Sequence, residues 1–333
     1  MRNRAPLIGA LVVALLFSIY IGLRPQHDFK ANTPGPEVEI LVTNGETGTS
    51  IAQELESKGV IKEAKTYIDL ALSDARTNGV APGTHKIESH LTTEEALQQL
   101  LDRKRMGQLV NVIEGSTAAD VFAEIAKDSN VVGKPRQAAS QLHLPIANSR
   151  NSVEGMLYPA SYSFGEKTPV KDALQQMLDL FASKNKALGL TKGYGKYSSY
   201  QVLTIASMVQ IEGDVSDFDK VASVIYNRLR IGMPLQLNST VQYAAGLRGR
   251  INISTAATKI ASPYNTYRYP GLPPTPISNP GEKAITAALH PLKSDWLYFI
   301  TVKPHDTRFT ADYKQFQEWE TLYNKNRVAG AFK

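Results

Sequence analysis

The stretch Tyr-Gln-Val-Leu-Thr-Ile-Ala-Ser-Met-Val-Gln-Ile-Glu-Gly, residues 200–213, predicts a helix with a single carboxylate at the edge of its apolar face. At about 3.6 residues per turn, Ile205, Met208 and Glu212 lie along one line of this helix, and Gly213 ends it. Apolar surroundings and the negative end of the helix dipole both disfavour a charged carboxylate, so both raise the pKa of Glu212. A raised pKa suits a general acid that works near neutral pH, although the spacing also allows a glutamate that extends into solvent at a helix end.

The composition is that of an ordinary globular protein. The chain has 333 residues, of which 42% are hydrophobic and 20% charged, and this length suffices for two domains. Half of the formal charge of +6 lies in residues 1–36, so the remainder is nearly balanced. Since no basic run with interleaved aromatic residues occurs, nucleic-acid binding is not expected. The absence of cysteine excludes disulfides and thiolate metal sites.

Residues 5–23 form an apolar run without a charged residue. At a rise of about 1.5 Å per residue, a helix of this length spans roughly the hydrocarbon core of a bilayer. Residues 1–24 are therefore interpreted as a cytoplasmic tail and a single-pass transmembrane anchor, and the proline-containing residues 25–37 as a linker. A cleaved signal peptide is the alternative, but the run continues to Leu23 and no Ala-x-Ala site follows it. An anchor with its N-terminus inside places the rest of the chain on the outer side of the cytoplasmic membrane.

Residues 38–115 are predicted to form a small α/β subdomain. Short strands alternate with helices, one of which begins with the capping box Thr92-x-x-Glu95, and the segment Gln108–Ile113 is a further strand. The pattern resembles LysM-type carbohydrate-binding modules, with a spacer between the membrane and the next domain as the alternative. His85 and His90 are interpreted as ordinary surface histidines, because no third candidate metal ligand lies near them.

Two segments of residues 116–333 contain side chains of the kinds that bind sugars. The segment Glu154-Gly-Met-Leu-Tyr-Pro159 is interpreted as a loop that presents Glu154 and the rings of Tyr158 and Tyr162, since flat amphipathic rings suit the apolar faces of sugars. A turn with core aromatic residues is the alternative. Further along, amides and hydroxyls are concentrated in residues 233–243, and six prolines between positions 263 and 280 predict a rigid loop.

Together these segments resemble the MltG (YceG-like) endolytic murein transglycosylases. The resemblance extends over nearly the whole chain and is carried, in the family's order, by Glu154–Pro159, Ile205–Glu212, Val221–Gln236, Ser262–Tyr267, Gly271–Ile277 and Leu297–Phe299. It implies an α+β fold with an N-terminal transmembrane helix (1–24), a linker (25–37), a small LysM-like subdomain (38–115) and a larger mixed α+β catalytic domain (116–333). It also implies an enzyme of the outer face of the cytoplasmic membrane that cuts peptidoglycan strands internally, without a cofactor or a metal ion.

The resemblance implies that Glu212 is the catalytic residue, at the position of the second acid of the family's Glu-Lys-Glu segment. The first acid is replaced by Gln210, the family's Thr-Asp-Pro-Thr by Leu237-Asn238-Ser239-Thr240, and its Pro-Asp by Pro159-Ala160. Acidic side chains are thus absent at three family positions, which supports a single catalytic carboxylate. The residues expected to contact the substrate are Glu154, Tyr158, Gln236, Ser239, Thr240, Tyr264, Asn265, Thr266 and Tyr267.

Three hypotheses for the function remain open at this point. In the lytic transglycosylase implied by the resemblance, Glu212 protonates the glycosidic oxygen between N-acetylmuramic acid and N-acetylglucosamine, and then accepts the proton of the muramyl C6 hydroxyl as a 1,6-anhydro ring closes. A hydrolytic muramidase needs a second carboxylate, for which Glu154 and Asp214 are the candidates. A non-catalytic scaffold would bind glycan for the wall-synthesis machinery. Peptidoglycan and the membrane are the expected partners, and wall synthases are a further candidate.

Overall fold

The computed structural model describes residues 27–43, 46–247 and 257–332, and the chain divides into two compact units between Gly107 and Gln108. The apolar run 5–23 lies outside the described residues. Among the residues that the structure does describe, no helix combines the length and the apolar character needed to cross a membrane.

Within residues 27–43 and 46–107, the first unit contains a two-stranded antiparallel sheet and three α-helices. Strand β1 (Glu37–Val42) pairs with β2 (Gly83–Glu88), and helices α1 (Gly48–Ser57) and α2 (Ala64–Ser73) lie between them in the chain. Helix α3 (Thr93–Leu101) follows β2. The side chains that fill the core between these elements are those of Ile40, Leu55, Ile61, Tyr67, Ile87 and Leu97.

Two details of the first unit bear on the sequence analysis. The capping box at α3 is confirmed, because the Glu95 amide donates to Oγ1 of Thr92 while the Thr92 amide donates to the Glu95 carboxylate. The interpretation of His85 as a surface residue is wrong. Its side chain is fully buried in the sheet, its Nε2 donates to the Ala81 carbonyl at 2.8 Å, and burial lowers its pKa.

The strand predicted near residue 110 belongs to the second unit. Strand β3 (Leu109–Val112) pairs antiparallel with a later strand of that unit, Ala160–Ser163. The compact units therefore divide after Gly107 rather than after Gly115, because the backbone partners of this strand lie downstream.

The remaining elements of the second unit follow in chain order. Three helices and three strands precede the central helices of this unit. They are α4 (Ala118–Ile125), β4 (Val131–Val132), α5 (Pro135–Ala138), β5 (Ala160–Ser163), β6 (Thr168–Pro169) and α6 (Val170–Leu188). These are α7 (Ser199–Glu212), α8 (Phe218–Arg230), α9 (Asn238–Ala245) and α10 (Glu282–Leu289). The chain ends in the antiparallel hairpin of β7 (Tyr298–Lys303) and β8 (Asp306–Thr310), against which α11 (Tyr313–Val328) packs.

Helix α7 is the centre of the second unit. Every residue from Val202 to Val209 is buried, since α8 and α10 pack against the helix. The loop of residues 263–280, called the proline-rich loop below, also crosses it. The predicted helix at residues 200–213 is confirmed within one residue at each end. It begins with a capping box between Ser198 and Gln201, and it ends at Glu212 because Gly213 adopts an extended conformation with φ −124°.

The proline-rich loop is attached to α7 and to the start of the unit. The Ile277 amide donates to Oγ of Ser207, and the Ser278 hydroxyl donates to the Ser207 carbonyl, each at 3.0 Å. The buried amide of Asn279 donates to the Ser116 carbonyl and accepts from the Leu157 amide, also at 3.0 Å. These bonds fix the loop on one side of the helix that carries Glu212.

Candidate active site

Glu212 is the last residue of α7 and is half-buried. The backbone amide of Ser239, in the first turn of α9, donates a hydrogen bond of 3.0 Å to its Oε1 atom. The carboxyl group thus lies between the negative end of the α7 dipole and the positive end of the α9 dipole. Both helix ends are needed to define its position.

The surroundings of Glu212 act on its proton affinity in opposite directions. Burial raises its pKa above the ordinary value of a glutamate, which is the largest effect. The contact with Ser239 and the positive charge of Arg228 lower the pKa in part. The net effect is a raised pKa, as the sequence predicted. The Glu212 carboxyl can therefore hold its proton at a higher pH than a surface glutamate does.

Arg228 supplies a buried positive charge on α8, with an exposed fraction of only 7%. Its Nε donates to the Leu297 carbonyl at 2.6 Å, and one terminal nitrogen donates to the Leu235 carbonyl at 2.5 Å. Through these bonds the guanidinium holds the backbone that leads to Gln236. Gln236 itself is exposed and adopts φ 49°, a left-handed conformation that side-chain-bearing residues seldom occupy.

Thr240 and Thr266 join α9 to the proline-rich loop. Their Oγ1 atoms lie 2.9 Å apart, and the Thr266 hydroxyl also accepts from the Leu237 amide at 3.0 Å. The Thr266 carbonyl accepts from the Gln236 amide at 3.0 Å. Because both threonine side chains are buried and bonded to each other, they hold the walls of the site and do not reach a substrate, contrary to the expectation from sequence.

Tyr267 and Asn238 form a polar pair beside Glu212. The Tyr267 hydroxyl donates to Oδ1 of Asn238 at 2.7 Å. Burial and the negative charge of Glu212 raise the pKa of Tyr267 to about 12, so its hydroxyl stays protonated. Sequence reasoning had not selected Asn238 as a site residue. Its position between Gln236 and Ser239 was the available signal.

The structure contradicts the expected role of Glu154 and the tyrosines that follow it. Glu154 is buried, accepts from the Ala118 amide at the start of α4 at 2.9 Å, and accepts from the Tyr243 hydroxyl at 3.0 Å. Tyr158 and Tyr162 are also buried, and the Tyr162 hydroxyl donates to the Tyr158 carbonyl at 2.6 Å. The alternative, a turn with core aromatic residues, describes this segment, because packing against the helices covers it.

Asn265 and Tyr264 likewise organise the loop. The Asn265 amide donates to the carbonyls of Thr258 and Ile260 at 2.9 Å, and the side chain is fully buried. The Tyr264 hydroxyl and Oγ1 of Thr275 lie 3.0 Å apart. Of the residues expected to contact a substrate, the half-buried Tyr267 lies near Glu212, and Ser239 contributes its amide. Gln236 is exposed three positions before Ser239.

The other acidic candidate, Asp214, is exposed and lies 3.0 Å from Nδ1 of His305. Gln210, at the position of the family's first acid, uses its Oε1 to accept from the Gly281 amide at 2.9 Å. Within the described residues, no group of three or more histidine or acidic side chains is arranged to hold a metal ion.

The fold and the site define a mixed α+β protein with a half-buried glutamate at the end of its central helix, surrounded by neutral amides and hydroxyls. The chain belongs to the YceG-like family, whose sequence model matches residues 40–321. This confirms the family identified from the sequence motifs.

Similar proteins agree with this assignment. The chain is 29% identical over 306 residues to the endolytic murein transglycosylase of Bacillus subtilis, covering 86% of this chain and 84% of that protein. It is 31% identical over 301 residues to the endolytic murein transglycosylase of Streptococcus pneumoniae, covering 79% of this chain but only 54% of that relative. A crystal structure of a yceG-like protein from Listeria monocytogenes has a TM-score of 0.58 at 25% identity, covering 85% of this chain and 98% of that one.

Proposed function

We propose that this protein is an endolytic peptidoglycan lytic transglycosylase in which Glu212 is the catalytic acid and base. The observation that carries the proposal is the position of the Glu212 carboxyl, which is desolvated at a helix end and held by the Ser239 amide. The names of the Bacillus and Streptococcus relatives, endolytic murein transglycosylase, support the same activity.

In the proposed reaction, Glu212 first donates its proton to the glycosidic oxygen that joins C1 of N-acetylmuramic acid to N-acetylglucosamine. The C1–O bond breaks, and the oxygen leaves as the new hydroxyl of N-acetylglucosamine. The Glu212 carboxylate then accepts the proton of the muramyl C6 hydroxyl, whose oxygen bonds to C1 and closes the 1,6-anhydro ring. The residue ends the cycle protonated, and no water molecule is consumed. Such proton transfer contributes typically about 10²–10⁴-fold to a rate.

A raised pKa serves both halves of this cycle. A carboxyl that keeps its proton to higher pH is a competent acid for the first step. The Ser239 amide then stabilises the carboxylate that remains after this step and orients it for the second. We propose that Asn238 and Tyr267, a neutral polar pair near Glu212, and the exposed Gln236 on the segment that leads to Ser239 hold the sugars.

The structure favours this reaction over hydrolysis by two carboxylates. Glu154 is buried and accepts hydrogen bonds at both of its oxygens. Asp214 is exposed and paired with His305. Neither carboxylate is presented in the way that a nucleophile or a base for water requires, whereas the transglycosylase uses a hydroxyl of its own substrate as the nucleophile.

The setting of the enzyme is part of the proposal. The apolar run 5–23 supports a single-pass anchor in the cytoplasmic membrane with residues 25–37 as a linker. With such an anchor, the catalytic part would lie on the outer side of the membrane. The short strands and helices of the first unit support a LysM-like glycan-binding role. With this placement the enzyme would trim or terminate strands close to where wall synthases make them.

The deciding experiment is mass spectrometry of glycan strands digested by the wild type and by Glu212→Gln. Soluble fragments with 1,6-anhydro ends from the wild type, and none from the variant, are the expected result. Reducing ends would replace the proposal with a hydrolytic muramidase. Equal digestion by both proteins would exclude Glu212 as the catalytic residue. A wild type that releases no fragments would favour a glycan-binding scaffold.

A further inference from the structure

A second cleft lies at the opposite end of α7 from Glu212. It has a volume of about 520 Å³ and lies between the first turns of α7, the end of α8 and the rim of the proline-rich loop. Its walls include Tyr197, Tyr200, Gln201 and the segment Gly271–Pro274. The transglycosylase proposed above does not use any of these residues.

The cleft combines a ring with polar groups. The Tyr197 ring is half-exposed, and the ammonium group of the exposed Lys196 lies 5.6 Å from its centre. Gln201 uses its Oε1 to accept from the Ser198 amide, and among the described residues no acceptor takes a hydrogen bond from its Nε2. An aromatic face beside amide and ammonium donors suits a sugar, which offers apolar C–H faces and hydroxyl oxygens.

The walls of the cleft are preformed. The Tyr197 ring packs at 5.2 Å on the ring of Tyr226, which is buried and donates its hydroxyl to the Ala288 carbonyl. On the other side, Pro273 and Pro274 restrict the backbone of the loop rim. Binding here therefore has a lower conformational-entropy cost, because the protein walls are already ordered before the ligand binds.

Helix α7 relates this cleft to the proposed catalytic site. Gln201 and Glu212 are eleven positions apart on one continuous helix. At about 100° per residue, eleven positions complete three turns with a remainder of only about 20°, so the two side chains leave the same face of α7. Their separation along the helix axis is about 16 Å. Gln201 in the wall of the cleft and the catalytic carboxyl therefore project from the same side of the helix.

The proline-rich loop gives an independent limit on the distance. Tyr267 contacts Asn238 beside Glu212, and Gly271 lines the cleft. Four residues of fully extended chain span at most about 14 Å. Both measures correspond to a distance that several linked sugar rings cover. Ile205 and Met208, which lie between the two sites on this side of the helix, are buried.

We propose that this cleft is a distal glycan subsite, which holds the strand several sugars away from the bond that Glu212 cuts and so selects the length of the fragment released. The inference rests on the proposed function and adds to it a fixed second point of contact. Lys196 at the mouth of the cleft suits the carboxylates that peptidoglycan carries along its strand.

The test compares Tyr197→Ala with Tyr194→Ala in the detergent-solubilised full chain. Both rings pack on Tyr226, at 5.2 and 5.0 Å, but only Tyr197 lines the cleft, so Tyr194→Ala is a matched control. Binding is measured by calorimetry in the Glu212→Gln background, with a hexamer and a dimer of β-1,4-linked N-acetylglucosamine as probes. Loss of one aromatic contact is expected to lower the hexamer affinity about fivefold to tenfold for Tyr197→Ala.

Product length is the second readout. Strands cut by Tyr197→Ala are expected to show a broader and shifted length distribution, while Tyr194→Ala cuts to the wild-type lengths. Lys196→Glu changes an exposed side chain and provides the same test if Tyr197→Ala does not fold. Unchanged hexamer affinity and unchanged product lengths in folded Tyr197→Ala or Lys196→Glu would overturn the proposal and leave the cleft to another ligand, such as a proline-rich peptide. Reducing ends in the wild-type products would contradict the proposed function alone, because the binding measurement needs no cleavage.

Discussion

The backbone amide of Ser239 donates a 3.0 Å hydrogen bond to Oε1 of Glu212, although 27 positions separate the two residues in the chain. The bond joins the C-terminus of α7 to the first turn of α9. Burial raises the pKa of Glu212 and this contact lowers it, so the proton affinity of the proposed catalytic acid depends on how two helices meet.

Replacing Ser239 by proline removes that amide donor without disturbing a helix interior. Ser239 is the second residue of α9, and proline is tolerated in the first turn of a helix. The carboxylate of Glu212 then loses the hydrogen bond that stabilises it, and its pKa rises further. Since a general acid must be protonated, the alkaline limb of kcat/KM is expected to move to higher pH in Ser239→Pro.

The control for this shift is Ser239→Ala, which keeps the backbone amide. The Ser239 hydroxyl also lowers the pKa of Glu212, so Ser239→Ala is expected to move the limb in the same direction. Ser239→Pro loses the amide as well as the hydroxyl and is expected to move it further. Equal shifts in the two variants would mean that the hydroxyl, and not the amide, sets the pKa of Glu212. Both profiles are measured on the same glycan substrate across the range in which the wild type is folded.

Stability should depend on pH through the same residue. The pKa of Glu212 is raised in the folded state, so the folded protein binds this proton more tightly than the unfolded chain does. The contribution to stability is therefore full below the ordinary glutamate pKa and is lost as the pH rises through the folded pKa. Glu212→Gln removes the ionisation, and its amide oxygen can still accept from Ser239.

The variant is accordingly expected to gain Tm relative to the wild type at pH 8, with a smaller difference at pH 4. Thermal denaturation of the two proteins at both pH values measures this difference. A larger gain at pH 4 than at pH 8 would show that the folded pKa of Glu212 is lowered rather than raised.

Glu154 and Asp214 separate the proposed reaction from hydrolysis. Glu154 accepts from the Ala118 amide at the start of α4, so Glu154→Gln is expected to weaken this helix end by about 1–2 kcal/mol. Its activity at a temperature where the protein is folded should fall by no more than a few fold. Thermal denaturation and the rate of fragment release are measured on the same sample.

Asp214→Asn is the matching change at an exposed position. The Asp214 carboxylate lies within hydrogen-bond distance of His305. Its removal is expected to change the free energy of unfolding by less than about 0.5 kcal/mol and to preserve the release of fragments with anhydro ends. A folded Glu154 or Asp214 variant that loses activity as completely as Glu212→Gln would instead identify a second catalytic carboxylate.

The Tyr267 hydroxyl is expected to act in catalysis and not in folding. Tyr267→Phe removes the donor to Asn238, so the amide loses its orienting partner beside Glu212. Loss of one such hydrogen bond corresponds to about 1 kcal/mol, or a decrease in kcat/KM of roughly fivefold to tenfold. The control is Tyr269→Phe, which changes an exposed ring two positions further along the loop. Equal activity of the two variants would exclude the pair from the site.

Asn279 is expected to be important for stability. Its buried amide bonds to the Leu157 amide and the Ser116 carbonyl, which lie on two other segments of the second unit. Asn279→Ala leaves the buried Leu157 amide without its acceptor, at a cost of about 1–3 kcal/mol, while the Ser116 carbonyl keeps its bond from the backbone amide of residue 279. Asn111→Ala removes an exposed amide at a cost of less than about 1 kcal/mol. Urea denaturation compares the two. A small loss in Asn279→Ala would mean that water or a shifted backbone satisfies the Leu157 amide.

Much of the local structure was predictable because its causes are local. The apolar period of residues 200–213 predicted α7 and the position of Glu212 at its end, and the spacing of Thr92 and Glu95 predicted the start of α3. In each case the signal and the structure lie within a few turns of one another.

The order of motifs in the chain was equally informative, since it indicated the family that the whole-chain comparison confirms. The roles of individual polar residues were less accessible. Glu154 and Asn265 have the side chains of a sugar-binding site, but they are buried and hold loops together. Asn238 is not among the contact residues expected from the sequence. It accepts a hydrogen bond from Tyr267, whose hydroxyl lies near Glu212.

The amino-acid sequence alone thus determined where α7 begins and ends and which carboxylate stands at its end. Only the tertiary structure decided what surrounds that carboxylate, because a side chain has the same identity in a core and on a surface. Burial and long-range hydrogen bonds, such as the one from Ser239, arise when segments distant in the chain pack together. They decide whether Glu212 is an ordinary surface acid or a desolvated one that can hold its proton.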